Sequence, residues 1–200
     1  GVGKTYLAKQ LANSIFDSTD NIIQFDMSEM MEEHSISKFI GSPPGYVGYG
    51  EGGQLTELVR RNPYSVVLLD EIEKAHSDVW NLLLQVLDEG HLTDNQGHRV
   101  SFANTLVILT SNLGSRELKS VGGAIGFGAR LDNAPASLAK PVLDAAQSEL
   151  PPELWSRIDE HLVFMRLNES QIRQIAQLQL AECREHLFSE HEITLGWDAA

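Results

Sequence analysis

Gly1-Val2-Gly3-Lys4-Thr5, at the start of the chain, and Val66-Val67-Leu68-Leu69-Asp70-Glu71 further on decide the fold. In the first stretch the glycines let backbone N–H groups close around phosphate oxygens. Lys4 supplies an ammonium for the outer phosphates and Thr5 a hydroxyl for Mg²⁺. The second stretch is an apolar run ending in two acids. That is the pattern of a buried strand delivering carboxylates to a metal and to a water. In this order the two predict a nucleoside triphosphate site. Gly1, Val2, Gly3, Lys4, Thr5 and Asp70 are then its cofactor-binding residues, with Thr5 and Asp70 as the Mg²⁺ ligands.

A complete phosphate loop reads G-x-x-x-x-G-K-[ST] and follows a strand. Position 1 already lies inside that loop, and Asp198-Ala199-Ala200 carry no closing signal. The sequence therefore reads as an internal piece of a longer polypeptide.

Composition narrows the class. Two hundred residues with 42% hydrophobic and 22% charged content suit one large domain, or one domain and the start of another. A net charge of −13 with scattered basic residues argues against a nucleic-acid surface. No apolar run approaches the roughly 18 residues of a membrane span. The lone Cys183 cannot form an internal disulfide; it fits a reducing, cytoplasmic setting and a packing role in a helix. The seven histidines lack metal-ligand spacing, so no zinc site is expected.

Periodicity gives the order of elements. Residues 5–16 carry apolar side chains at helical spacing, as does 54–61, which Pro63 ends. Strands are expected at 21–26, 65–69, 105–110 and 160–164. A short helix is expected over 27–40, and one capped by Asp78 running to Gly90. Asp94-Asn95-Gln96-Gly97 should turn a hairpin between Gly90 and Phe102. A helix over 138–150 should break at Pro151-Pro152, and 169–188 should be amphipathic. Alternating strands and helices predict an α/β fold with a parallel sheet flanked by helices.

Several further residues are candidates. Asp70 can hold Mg²⁺, usually through water, while Glu71 polarises an attacking water. Asn112, just past a strand, could orient that water or contact a phosphate, or could simply be a turn residue. Tyr46, among Gly45, Val47 and Gly48, could grip an extended chain through its ring face or fold back onto the domain. Arg157 could stabilise phosphoryl charge on a neighbouring subunit, or pair with Asp159 or Glu153.

Together the segments GVGKT (1–5), IQFDMSEMMEEHSISKFI (23–40), GSPPGYVGYGEGGQLTELVRRNPYSVVLLDEIEKAH (41–76), LLLQVLDEGHLTDNQG (82–97), NTLVILTSNLGS (104–115) and PELWSRIDEHLVF (152–164) resemble the Clp-family AAA+ unfoldases. The resemblance is to the second ATPase module of two-ring members, ClpC/ClpA-like more than ClpB-like. It implies an AAA+ core in a large α/β subdomain over 1–164, and the beginning of a small helical subdomain over 165–200. It implies ATP and Mg²⁺ as cofactors and a homo-hexameric ring that threads unfolded or tagged proteins past Gly45, Tyr46, Val47 and Gly48. By the same resemblance Asp70 and Glu71 form the Walker B pair, Asn112 is the first sensor, and Arg157 is a finger reaching the adjacent subunit. The family's sheet has a strand before the phosphate loop, without which this piece should fold poorly alone.

Leu150-Pro151-Pro152-Glu153 and Trp155-Ser156 depart from the family's usual residues before the finger arginine. Ile125, Gly126 and Phe127, set among glycines, match the tripeptide that docks protease-linked members onto a ClpP-type peptidase. The alternatives are a ClpB-type disaggregase without a peptidase, and a nucleic-acid-remodelling motor sharing the ATPase core. The acidic balance and the GYVG loop count against the second.

Overall fold

The computed structural model describes residues 3–18, 20–46, 52–114, 139–165 and 167–196. Strand β1 (Ile22–Asp26), β2 (Val66–Asp70) and β5 (Leu106–Leu109) form one parallel sheet in the order β1-β2-β5. Its register pairs Ile22 with Val66 and Asp26 with Asp70 on one side, and Val66 with Leu106 and Leu69 with Leu109 on the other. β2 is the central strand, so its side chains are buried on both faces from Val66 to Leu69. That is why it reads as an unbroken apolar run rather than an alternating one.

Alternate residues of the strands feed two separate cores. Val66 and Leu68 meet Ala8 and Ala12 of helix α1 (Lys4–Phe16), with Phe16, Ile22, Leu106 and Ile108 around them. The alanines let the helix lie close to the sheet. Ile23, Phe25, Val67 and Leu69 face the opposite way into a larger cluster. There they pack with Phe39 of α2 (Ile36–Ile40), Leu55 and Val59 of α3 (Gln54–Arg61), and Val79, Leu83 and Val86 of α4 (Ser77–Glu89). The sheet is thus sandwiched between helices, as expected of the α/β reading.

The hairpin of β3 (His91–Thr93) and β4 (Arg99–Ser101) follows α4 directly, its tip at Asp94–Gly97 as the turn signal predicts. Gly90 ends α4 in a left-handed conformation, with φ of 66°. Past the sheet come α5 (Ala139–Glu149), α6 (Pro152–Arg157) and α7 (Glu169–His191). A capping box of Asn168 and Gln171 starts α7.

Four local expectations are corrected. Residues 27–40 are not one helix: two short 3-10 turns, Met27–Glu29 and Glu33–Ser35, precede α2. Asp26 caps the first of these turns, its carboxylate accepting from the Ser28 N–H (2.8 Å) and hydroxyl (2.6 Å). The N-cap of α4 is His76, whose Nδ1 accepts from the Asp78 N–H at 3.3 Å, so Asp78 sits in the first turn. The apolar stretch 160–164 is not a strand, since none of the described strands offers it a ladder. Such runs become strands only where an edge is available. Pro151-Pro152 does end α5, but Pro152 also opens α6, where its missing N–H costs nothing. On α7, Ile172, Leu178 and Phe188 stand in solvent and Cys183 is exposed rather than packed. No helix among the described residues is long and apolar enough to cross a membrane.

Candidate nucleotide site at the strand ends

The C-terminal ends of β2 and β5 and the start of α1 come together, and the chemistry-bearing residues meet there. Gly3, with φ of 94°, turns the chain into α1, a conformation that glycine adopts without steric cost. Lys4, the first residue of α1, crosses to the end of β5. Its Nζ donates to the Ser111 carbonyl at 2.5 Å and to Asn112 Oδ1 at 2.6 Å. The other end of that amide, Asn112 Nδ2, donates to Glu71 Oε1 at 2.7 Å. Lys4, Asn112 and Glu71 therefore form one continuous chain of hydrogen bonds. The turn-residue alternative for Asn112 does not describe this geometry.

Asp70 and Glu71 leave β2 in different directions. Asp70 accepts from the Thr110 hydroxyl, on the neighbouring strand end. The Glu71 N–H donates to that same hydroxyl at 3.2 Å. Glu71 takes a left-handed conformation (φ 59°, ψ 50°), which costs a residue with a Cβ on the order of 1 kcal/mol. The 3-10 turn Ile72–Lys74 follows and is well anchored. The Ile72 N–H donates to the Thr110 carbonyl at 3.0 Å, and Trp80 Nε1 to the Ile72 carbonyl at 3.1 Å.

This turn delivers two residues that the sequence reading passed over. Lys74 pairs with Glu71 Oε2, and that hydrogen bond holds its ammonium above the ordinary lysine range. Glu73 Oε1 accepts the Asn112 N–H at 3.0 Å. The signal was present in Asp70-Glu71-Ile72-Glu73-Lys74, since an acid and a lysine three apart meet on any helical turn. Thr110 was passed over too, as the end of a strand. Opposite Asp70 in the register lies Asp26, whose carboxyl the Ser28 hydroxyl and N–H hold below the usual range.

The donor set fits a nucleotide with its metal. Among the described residues Lys4 is held only by neutral oxygens, which a phosphate oxygen can displace with a gain in charge pairing. Among the described residues the Thr5 hydroxyl has no hydrogen-bond partner, and α1 has neither an acid in its first turn nor a side-chain cap. Both features suit an anion at the helix start. No group of three or more His, Cys, Asp or Glu side chains among the described residues could cage a metal. Thr5 and Asp70 could hold Mg²⁺ with phosphate and water oxygens, which is how that ion is often bound.

The remaining candidates lie elsewhere. Arg157 makes an ion pair with Asp88 near the end of α4 and does not join the Lys4–Asn112–Glu71 chain. Neither Asp159 nor Glu153 is its partner. Tyr46 stands 67% exposed, its N–H donating to the Pro43 carbonyl at 3.2 Å, so it does not fold back onto the domain. Gly1, Val2, Val47, Gly48, Ile125, Gly126 and Phe127 lie outside the described residues.

The family described as AAA domain (Cdc48 subfamily) matches residues 1–161, and the chain belongs to it. The proteins it is similar to include Clp chaperones. The chain is 54% identical to chaperone protein ClpB of Vibrio cholerae, covering 94% of this chain and 21% of that one. It is 52% identical to the chloroplastic ClpB2 of Oryza sativa, with coverage of 94% and 19%. It is 48% identical to ClpC, the ATP-binding subunit of an ATP-dependent Clp protease from Staphylococcus saprophyticus, with coverage of 98% and 24%. A solved S. cerevisiae Hsp104–ADP complex superposes with a TM-score of 0.80 at 39% identity, over 94% of this chain and 31% of that one. The same score and identity hold for a closed-state Hsp104 with ATPγS and FITC casein, over 92% and 31%. The chain thus spans about a fifth of the length of these curated relatives.

Proposed function

We propose that this chain is the motor of an ATP-driven protein unfoldase, working as a hexameric ring that threads polypeptide through its centre. The observation that carries the reading is the unbroken hydrogen-bond chain from Lys4 through Asn112 to Glu71. ATP with Mg²⁺ supplies the phosphoryl group that passes to water. Gly1, Val2, Gly3, Lys4 and Thr5 bind its phosphates, and Lys4 exchanges Asn112 Oδ1 for a phosphate oxygen. Glu71 accepts a hydrogen bond from the attacking water, and Asn112 holds Glu71 in place through Nδ2. Thr5 and Asp70 hold the metal. Arg157, released from Asp88, reaches the site of the adjacent subunit. Gly45, Tyr46, Val47 and Gly48 grip the threaded chain, a role supported by the exposure of Tyr46. Residues 1–164 form the working core and 165–200 begin a helical subdomain. Lone, exposed Cys183 suits a cytoplasmic setting.

The experiment is made in the full-length protein. Glu71→Gln should keep ATP binding and lose nearly all turnover, whereas Lys4→Ala should weaken binding itself. Turnover at the parental rate in the Glu71 variant would refute the reading.

Two destinations for the threaded chain are supported by different observations. Ile125, Gly126 and Phe127 support delivery to a ClpP-type peptidase, as does the name of the ClpC relative. The ClpB relatives support release as a disaggregase. Phe127→Ala, beside the parental protein, separates them. Loss of peptidase-coupled degradation with unfolding retained supports delivery through this segment, whereas a parental protein that unfolds substrate without any peptidase-coupled degradation supports release.

A further inference from the structure

Asn112 can bridge Lys4 and Glu71 only if its own backbone is fixed, and β5 does not fix it. The strand ends at Leu109, and its last ladder pair joins Leu69 to Leu109. Beyond Thr110, whose N–H still reaches the Leu69 carbonyl at 2.9 Å, the chain needs another partner. A backbone N–H past the end of a ladder must find an acceptor elsewhere. For Asn112 that acceptor is Glu73 Oε1, 39 residues earlier in sequence and 3.0 Å away.

Glu73 is well built as such an acceptor. It sits in the turn that Thr110 and Trp80 anchor, and the Lys74 N–H closes that turn onto the Glu71 carbonyl at 2.9 Å. Its second oxygen, Oε2, is buried and has no hydrogen-bond partner among the described residues. A carboxylate oxygen withheld from water and left unpaired costs stability. A glutamate with only a solvation role would turn outward. Here the side chain stays against the strand end, its one bond made to the residue that spans the site.

We propose that Glu73 is a positioning residue for ATP hydrolysis: it fixes the Asn112 backbone so that the amide stands between Lys4 and Glu71. The turn 71–74 then holds Glu71 from two sides, through Lys74 at Oε2 and through Glu73 and Asn112 at Oε1. This rests on the reading that Asn112 and Glu71 serve hydrolysis.

The test uses the full-length protein and four variants: Glu73→Ala, Glu73→Gln, Asn112→Ala and the Glu73→Ala/Asn112→Ala double. Oligomeric size and Tm are recorded beside kcat and KM for ATP. Glu73→Ala should lower kcat on the order of tenfold or more, as small misplacements at a reacting centre do. KM should shift by no more than about twofold, because Lys4 and its loop are untouched. Glu73→Gln should recover most of kcat, since its amide oxygen accepts the same N–H. In the Asn112→Ala background Glu73→Ala should have no further effect, because the two act as one unit. Fully additive losses, an unrescued glutamine variant, or a parental kcat in Glu73→Ala would overturn the proposal. If Asn112→Ala itself keeps the parental kcat, the reading of the site fails, and that result is distinct from an additive double variant.

Discussion

Arg157 is tied to Asp88, 69 residues away in sequence, by an ion pair between the last turn of α6 and the last turn of α4. Both side chains are about half exposed, so the pair contributes little stability and is readily exchanged for another partner. An arginine that is to serve a neighbouring subunit needs a resting partner of this kind, present but weak.

If so, Arg157→Ala should retain nucleotide and lose hydrolysis, measured as bound ATP against turnover in the full-length ring. Mixing it with Glu71→Gln subunits should restore part of the activity, because an intact Arg157 can then face an intact Glu71. No recovered activity at any mixing ratio would assign Arg157 a role within its own subunit.

Tyr46→Ala should slow the unfolding of a tagged substrate far more than it slows ATP turnover, since grip and chemistry sit on different loops. Tyr46→Phe should be milder because the ring face remains. An alanine variant that unfolds substrate at the parental rate would make the loop incidental.

Asn95, at the hairpin tip, holds the near end of the Tyr46 loop. Its side-chain amide donates to the Gly41 carbonyl and its N–H to the Ile40 carbonyl at 2.8 Å. Asn95→Ala keeps the second bond and loses the first. It should reduce substrate unfolding several-fold while turnover without substrate stays within about twofold, as loss of one hydrogen bond of about 1 kcal/mol implies. Equal loss of both activities would show that the hairpin acts on the whole domain.

Asp94 gives a pH signature. Burial pushes its carboxyl up, but hydrogen bonds from His98 and Gln96 outweigh this and leave it below the ordinary value. A folded-state value below the unfolded one means the stabilisation is complete above the ordinary Asp range and fades as pH falls through the folded value. Asp94→Ala should therefore lower stability by about 1–3 kcal/mol at neutral pH, with the difference shrinking in acid. Denaturant titrations at pH 7 and at low pH check it. A gap that widens in acid would reverse the assignment.

Much of this was legible in the sequence, for identifiable reasons. β2 was readable because burial on both faces makes a strand continuously apolar, and α3 because Pro63 and a steep polar–apolar division bound it. Glu71 and Asn112 were readable as residue types at strand ends, and Lys4 as the lysine of a phosphate loop. Their mutual contacts were not, because Asn112 could equally have been a turn residue until β2 and β5 were seen as neighbours. Glu73 was hidden for a related reason: its partner is a backbone N–H, which no side-chain pattern advertises. Arg157 was read toward phosphate or toward Asp159, and the packing of α6 on α4 brings it to Asp88 instead.

The loop carrying Tyr46 leaves and returns through a single point. A Cβ on Gly53 would lie 2.1 Å from the Phe39 carbonyl oxygen, and Thr56 Oγ1 ties that carbonyl (3.2 Å) to the Gly53 carbonyl (3.1 Å). The two ends of the segment between Gly41 and Gly53 are therefore held together whatever its length. Segments could be added or removed there in evolution, or exchanged by an engineer, without altering the sheet beneath. Doubling such an excursion costs only about 0.6 kcal/mol in closure entropy. If Tyr46 grips substrate, reach and reaction rate can then vary independently, one between Gly41 and Gly53 and the other at the strand ends.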